Sequence, residues 1–489
     1  MTAPLTVPLE TQAIVIGAGM SGLLAAIRMK QAGVDFVLLE KSLEVGGTWL
    51  DNCYPGSGCD VPSHLYSYSF AGNPHWSRLF ARQPEILDYF RDQANRFRLR
   101  PHLCLGVEVA SADWDEASAR WTVISTDGNH WRAPALIVAT GQLNRPRTPD
   151  LPGRDGFAGA QIHTARWHDD APIAGKRVGV IGTGASAIQI VPEIAREATH
   201  LTVFQRSPHW VIPRMDAPIA PMMKRLFARV PLLRKAFRAL IWRRLEATHP
   251  AIAEPGGAKA REMEKMALDY LAATIGDPAL RRELTPDFPI GCKRTLVSDD
   301  YYPTLVRDNV TLETRPIDRI EPGGVRLAGG TLVELDTIVW ATGFETHGFV
   351  APIAINGPDG SLAHAWANGA SAYRGTTVAG FPNMFLLYGP NTNLGHNSII
   401  FMVERQMEYA LPAILKLARG EARRIAVRPA AHETYNRALQ ARLATTSWAA
   451  GCGSWYKTDD GVMPNNWAGN TAEFARMMRR FDTEAYEIA

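Results

Sequence analysis

The chain has 489 residues, 46% of them hydrophobic and 21% charged, with a formal net charge of +3. This suits a globular protein of two or three domains, at roughly 150 residues each, and lacks the clustered basic and aromatic footprint of a nucleic-acid binder. Five scattered cysteines (Cys53, Cys59, Cys104, Cys292, Cys452) argue against a disulfide framework and for a reducing, cytoplasmic setting, and no basic leader or bilayer-spanning apolar run is evident.

Residues 13–22, AIVIGAGMSG, read as a buried strand entering Gly17-x-Gly19-x-x-Gly22, and the apolar helical segment LLAAIRMKQAG follows. The pattern predicts a dinucleotide-binding βαβ unit. Its glycines permit a tight turn, close approach of a pyrophosphate to backbone N–H groups and tight helix packing, while the helix N-terminus favours phosphate charge. The next strand, VDFVLLE, ends on Glu40, 18 residues beyond Gly22, where a carboxylate can accept hydrogen bonds from a ribose.

The stretch GGTWLDNCYPGSGCD, residues 46–60, comes next. Its two cysteines raise three readings: a redox dithiol, a metal site, or a wall around a ligand. A flavin-linked dithiol would place its Cys pair on the helix after the Gly-Gly-Thr turn, but Gly46-Gly47-Thr48 is followed by Trp49. Cys53 and Cys59 also lack a partner cluster of His or Cys with metal-site spacing, so no metal is expected.

The nucleotide pattern returns in KRVGVIGTGASAIQIVPEIA, with Gly182, Thr183, Gly184, Ser186 and Ala187 between strand and helix. The following strand, LTVFQRS, ends on Gln205 and Arg206 in place of an acid, and a guanidinium there suits a 2′-phosphate, so the second nucleotide is expected to be NADPH. Between 213 and 290 helical apolar spacing replaces the α/β alternation. This helical insertion carries eight Lys or Arg residues and no acid from Met222 to Arg244. The reading adopted is an amphipathic helix packed on the NADPH domain with a solvated basic face; weak peripheral association with anionic lipid is the alternative.

Two similar stretches, ALIVATGQLNRP and TIVWATGFETHG, each read as a buried strand followed by Ala-Thr-Gly. They mark where the chain leaves the first domain, near 140, and re-enters it, near 342. The expected fold class is α/β with two Rossmann-like domains. A discontinuous FAD-binding domain (1–140 and 342–489) would hold an inserted NADPH-binding domain (141–341). Two such units in one enzyme suggest a flavin and a nicotinamide face to face, and hydride transfer is the chemistry that pairing supports.

On these motifs the chain resembles the type I Baeyer-Villiger monooxygenases, within the flavin-dependent monooxygenases, over nearly its whole length. The 46–60 stretch fits that family's fingerprint through Gly46, Gly47, Trp49, Tyr54, Pro55, Gly56 and Asp60. A second fingerprint is met by Phe157, Gly159, His163 and Trp167, with His168 departing from the residue expected after Trp167. GCKRTLVSDDYYPTLVRDNV resembles the segment carrying the family's active-site arginine, here Arg294, preceded by Lys293.

The resemblance implies that NADPH reduces FAD, that O2 adds at the flavin C4a carbon, and that the resulting peroxide attacks a ketone as an anion to give an ester or lactone. An anion in a water-poor site needs a fixed cation. Arg294 would supply it, Asp60 would orient it, Lys293 is grouped with them, and the Trp49 to Pro55 turn would close the flavin face, leaving the cysteines inert. His163 is read as a strut for the domain linker. Asn391, in LLYGPNTNLGHNS, is expected to bring its backbone towards the flavin, with a plain turn as the alternative. Trp455 would lie in a loop folded over NADP+. Asp60 as a structural ion pair and Arg294 as a phosphate ligand remain open. So do two other functions: oxygenation of nitrogen or sulfur nucleophiles such as a sulfide, and a non-catalytic redox-sensing flavoprotein.

Overall fold

The computed structural model describes residues 9–489. Two five-stranded parallel sheets lie at its centre. The first runs Met384–Leu386, Ala135–Val138, Ala13–Ile16, Phe36–Glu40, Leu103–Leu105. The second runs Val310–Glu313, His200–Phe204, Arg177–Ile181, Thr337–Trp340, Ala160–His163. Their central strands are short aliphatic runs buried on both faces, as parallel strands covered by helices must be. Helices Met20–Gln31 and Ile399–Ala418 pack on one face of the first sheet. A mixed, mainly antiparallel sheet covers the other face, where Trp121 and Val123 meet Ile14, Ile16 and Leu136. Its strand Arg120–Ser125 alternates buried and half-buried residues, the signature of a sheet with one face on the core.

The first sheet takes four strands from before residue 139 and one from Met384–Leu386, so the chain departs and returns. The two passages meet at an antiparallel bridge, Pro146 to Phe344.

The insertion consists of helices Pro221–Arg229, Pro231–Glu246, Pro250–Ala253, Ala258–Thr274 and Pro278–Leu284. Four of the five begin on proline, whose fixed φ and missing N–H cost nothing at a helix start, and Asp277 caps the last by accepting from the N–H groups of Ala279 and Leu280. The expectation that the basic segment packs on the NADPH domain needs correction. Phe237, Ile241, Trp242 and Leu245 join the core of the first sheet, whereas the later residues Leu271, Ile275 and Leu284 join that of the second. The insertion therefore divides between the two.

The cysteines bring a second correction. Cys292 and Cys452 form a disulfide across 160 residues, with Cα atoms 6.3 Å apart. No helix among the described residues is long and apolar enough to cross a membrane.

Candidate functional site

A cavity of about 1520 Å3 runs between the carboxyl ends of the two central sheets, where open α/β sheets place their ligands. At its first end Gly17 has φ +98°, and a Cβ there would sit 2.7 Å from the Ala139 carbonyl oxygen. A Cβ on Gly22 would fall 1.8 Å from Gly17 O, so this glycine serves helix packing and does not line the cavity. Gly19 and Gly47 touch: a Cβ on Gly47 would meet Gly19 Cα at 3.0 Å. Gly47, Thr48 and Trp49 all face the cavity. Glu40 is buried at its edge, with Oε2 accepting from Ala18 N at 2.6 Å and Oε1 from Ser42 N at 2.9 Å. Each oxygen keeps a lone pair, so the carboxylate is both fixed by its loop and able to accept from ribose hydroxyls. A turn stripped of side chains beside a fixed carboxylate fits an adenine dinucleotide.

The 46–60 stretch bridges the two halves. Trp49 donates from Nε1 to Tyr66 Oη at 3.1 Å, and the two rings meet edge-on at 5.6 Å. Tyr54 donates its hydroxyl to Gln189 Oε1 at 2.8 Å, and Gln189 Nε2 donates to Gly58 O at 2.9 Å. Gln189 belongs to helix Ala185–Glu197 of the second unit. A Cβ on Gly56 would fall 2.3 Å from Gln189 O, which explains the glycine. Of the cysteines, Cys59 is buried and Cys53 donates to Trp167 O at 3.5 Å; burial pushes both thiols up, away from the reactive thiolate.

Asp60 and Arg294, 234 residues apart, meet inside the cavity. One carboxylate oxygen, Oδ2, accepts from Arg294 Nε at 2.9 Å and from Nη2 at 2.5 Å. The guanidinium is thus held by one edge, its Nη1 makes a marginal 3.5 Å bond to Leu394 O, and the Tyr456 hydroxyl lies within its reach. The Asp60 charge raises the Arg294 pKa further, so the group stays cationic at any working pH. Tyr388 and Tyr456 flank it, their phenols pushed up by burial and so kept protonated as donors.

At the second end Gly182, at φ +113°, would place a Cβ 2.5 Å from Ala341 O, and Thr183 donates to Ser207 O at 3.0 Å. Gly184 and Ser186 face the cavity; Ala187 is buried in the helix packing. Arg206 is exposed on the cavity rim and forms no ion pair or hydrogen bond among the described residues. Gln205 lines the cavity beside it, with its Nε2 donating to Glu283 O at 2.7 Å.

Lys293 parts from Arg294. Its Nζ donates to Ser207 Oγ at 2.7 Å, and burial, then the charge of Arg206, lowers its pKa. The side chains of Lys293 and Arg294 therefore part: Lys293 lies in a bend and reaches Ser207 at the Arg206 end, while Arg294 reaches Asp60. The expectation for Asn391 is corrected. It is buried off the cavity, its Nδ2 donating to Met463 O and Asn466 O at 2.6 and 2.9 Å and its backbone N–H to Pro464 O at 2.7 Å. Tyr388, Asn393 and Leu394 line the wall instead.

The second fingerprint lies behind the cavity. Phe157 is in the core with Trp340, and a Cβ on Gly159 would fall 2.2 Å from Asp336 O. His163 accepts from Ala165 N at 3.0 Å through Nδ1, its ring 6.2 Å from Phe344, and burial lowers its pKa. It stands where the two linkers cross, and Trp167 receives the Cys53 contact. Trp455 does face the cavity, its carbonyl accepting from His347 Nε2 at 2.9 Å. Sequence reasoning missed Tyr66, Gln189, Tyr388 and Tyr456. Tyr456 adjoins Trp455, and Tyr388 lies within the stretch LLYGPNTNLGHNS already singled out.

A family model described as pyridine nucleotide-disulphide oxidoreductase matches residues 14–236. The chain is 43% identical to a Baeyer-Villiger monooxygenase of Streptomyces coelicolor, over 97% of this chain and 92% of that one. It is 41% identical to a Baeyer-Villiger monooxygenase of Pseudomonas aeruginosa, over 97% and 90%. Among solved structures, that of OTEMO in complex with FAD and NADP superposes with a TM-score of 0.88 at 28% identity, covering 99% of this chain and 100% of that one.

Proposed function

The chain belongs to the Baeyer-Villiger monooxygenases, and from that premise we propose how its residues divide the work. It is an FAD- and NADPH-dependent flavoprotein that inserts one atom of O2 beside a ketone carbonyl. FAD would lie at the Gly17, Gly19 and Glu40 end, with Gly47 and Trp49 against it. NADPH would lie at the Gly182, Gly184 and Arg206 end, with Arg206 and Lys293 reading the 2′-phosphate. When bound, reduced FAD supplies the activated oxygen that attacks the ketone.

The observation that carries the reading is the one-edge grip of Asp60 on Arg294. The carboxylate holds the Nε/Nη2 edge of a permanently charged group, which leaves the opposite edge, with Nη1, for the oxygen that carries negative charge during attack. A fixed cation facing an anion is worth most where bulk water is kept out, and the Trp49–Tyr66 pair and the half-buried Tyr388 wall the cavity there, with the buried Tyr456 behind. A soft sulfur nucleophile attacking a protonated oxidant would make no such demand, so ketone oxygenation is the reading the geometry favours.

Hydride transfer does not need Arg294, so its two half-reactions should separate. In Arg294→Ala, anaerobic flavin reduction by NADPH should stay within about tenfold of the parent while ester formation falls by ~10² or more, the usual scale for a lost charge-stabilising group. The NADPH consumed under air would appear as hydrogen peroxide. Asp60→Ala should show a milder form, because it frees the guanidinium without removing it. Parental ester yield per NADPH in Arg294→Ala would show the assignment to be wrong.

A further inference from the structure

The helical hairpin Pro221–Arg229 and Pro231–Glu246 stands on the first-sheet core and keeps an outer surface that no described residue covers. Its inner face is well anchored. Phe227 and Phe237 stack at 5.3 Å and both meet the His64 ring, at 4.9 and 5.4 Å. Arg238 Nη1 donates to the carbonyls of His64, Leu65 and Ser67 at 2.8 to 2.9 Å. Trp242 donates to Thr471 at 2.9 Å. The hairpin is therefore a rigid projection.

Its outer side is apolar at the turn and basic around it. Met222 and Leu232 are each 76% exposed and Leu240 53%, with Leu226, Val230 and Leu233 exposed beside them. Arg225, Arg229, Lys235, Arg243 and Arg244 are exposed and form no ion pair or hydrogen bond among the described residues. Between Asp216 and Glu246 the chain has no acid. Single exposed leucines are ordinary. An anchored hairpin whose outer side carries aliphatic residues, densest at its turn, together with unpaired cations along both helices is a different object.

We propose that this hairpin docks the enzyme on an anionic phospholipid surface, the apolar turn entering the headgroup boundary and the cations meeting lipid phosphate. Charge complementarity selects this occupant. A second copy apposed across a twofold would set cation against cation. A nucleic acid would meet aliphatic side chains at the turn, which offer no stacking face. Amphipathic helices that lie in a bilayer interface combine these same two features, buried apolar side chains and a Lys/Arg polar face. The inner face gives the docking a use: Trp242 packs on Phe401 at 6.0 Å, and Asn397 and Ile399, just before it, line the cavity. Docking would bring the cavity's wall near the phase in which apolar ketones collect. The docking itself does not depend on the reading of Arg294.

Flotation of the holoenzyme with phosphatidylcholine vesicles, and with vesicles roughly two parts phosphatidylcholine to one phosphatidylglycerol, tests it. The holoenzyme should float with the anionic vesicles, stay in the load with neutral ones, and detach as salt is raised. A Leu232→Ser, Leu233→Ser variant and an Arg229→Glu, Lys235→Glu variant should each lose at least about tenfold in the bound-to-free ratio, with flavin content and turnover of a soluble ketone unchanged. Absence of flotation with anionic vesicles at low salt would overturn the proposal. So would binding unaltered in both variants, or an oligomer that Leu232→Ser, Leu233→Ser converts to monomer without change in flotation.

Discussion

Gly17 and Gly182 occupy the same place in two sheets, each at positive φ and each so close to the carbonyl of an Ala-Thr-Gly turn, Ala139 or Ala341, that a Cβ would collide. One residue later but one, the two units diverge. Gly19 lies against Gly47, so the first turn is covered by the start of the 46–60 stretch, whereas Gly184 has nothing within 4 Å of where its Cβ would be. The strand ends diverge as well. Glu40 is buried and bonded to its own loop, while Arg206 is exposed and unpaired. The same supersecondary unit has been given a closed setting once and an open one once. Closure suits a cofactor held through every cycle; an open rim with a free cation suits one that is picked up by its phosphate and used as a reductant.

The most severe test of that contrast is a matched pair of substitutions. Gly17→Ala should yield folded protein without flavin, since the new methyl group collides with the Ala139 carbonyl oxygen at a φ that alanine resists, and the turn that would meet the pyrophosphate must deform. Gly182→Ala should remain yellow, with flavin bound, and fail in anaerobic reduction by NADPH. Absorbance per chain and stopped-flow reduction read the two outcomes, with circular dichroism checking the fold. Loss of flavin from Gly182→Ala would break the comparison, because the open unit would then be supporting the closed one.

A smaller effect sharpens it. Arg206→Ala should raise KM for NADPH by about 10- to 100-fold, the scale of a hydrogen bond to a charged group, and leave that for NADH almost unchanged, because only NADPH carries the 2′-phosphate. An unaltered preference between the coenzymes would remove Arg206 from the phosphate site.

Much of this contrast is readable in the linear sequence. The glycine spacings, the acid at Glu40 and the absence of one at Gln205–Arg206 are local signals, because each belongs to one strand, turn and helix. The meeting of Asp60 with Arg294 is of another kind: nothing local links residues 234 apart, and only the family resemblance put them in one site. Where neither source reached, the sequence reading failed for physical reasons. The orientation of Lys293 depends on a bend, Asn391 on which turn residues face inward, and the Cys292–Cys452 bridge on the return of the C-terminal segment to the residues after the insertion. Tyr66 and Tyr388 are indistinguishable from core aromatics until the cavity is seen.

Lys293 gives the smallest expected effect and the finest resolution, because it adjoins the residue on which oxygenation depends. If side-chain direction decides role, the two neighbours should fail in different half-reactions. Lys293 donates to Ser207 and its ammonium is perturbed by Arg206, so its charge belongs to the field that a 2′-phosphate meets. It is half-buried and already bonded, and the phosphate keeps Arg206 when it is lost. Lys293→Met, which preserves the length of the stem, should therefore raise KM for NADPH by only about 3- to 10-fold, the scale of an ordinary hydrogen bond and below that of a full charged contact. Ester formed per NADPH consumed should remain at the parental ratio, since Arg294 and its Asp60 partner are untouched. Paired measurements of coenzyme KM and coupling would decide: hydrogen peroxide release in Lys293→Met, with KM for NADPH unchanged, would return this lysine to the oxygenation site and erase the division drawn between two adjacent residues.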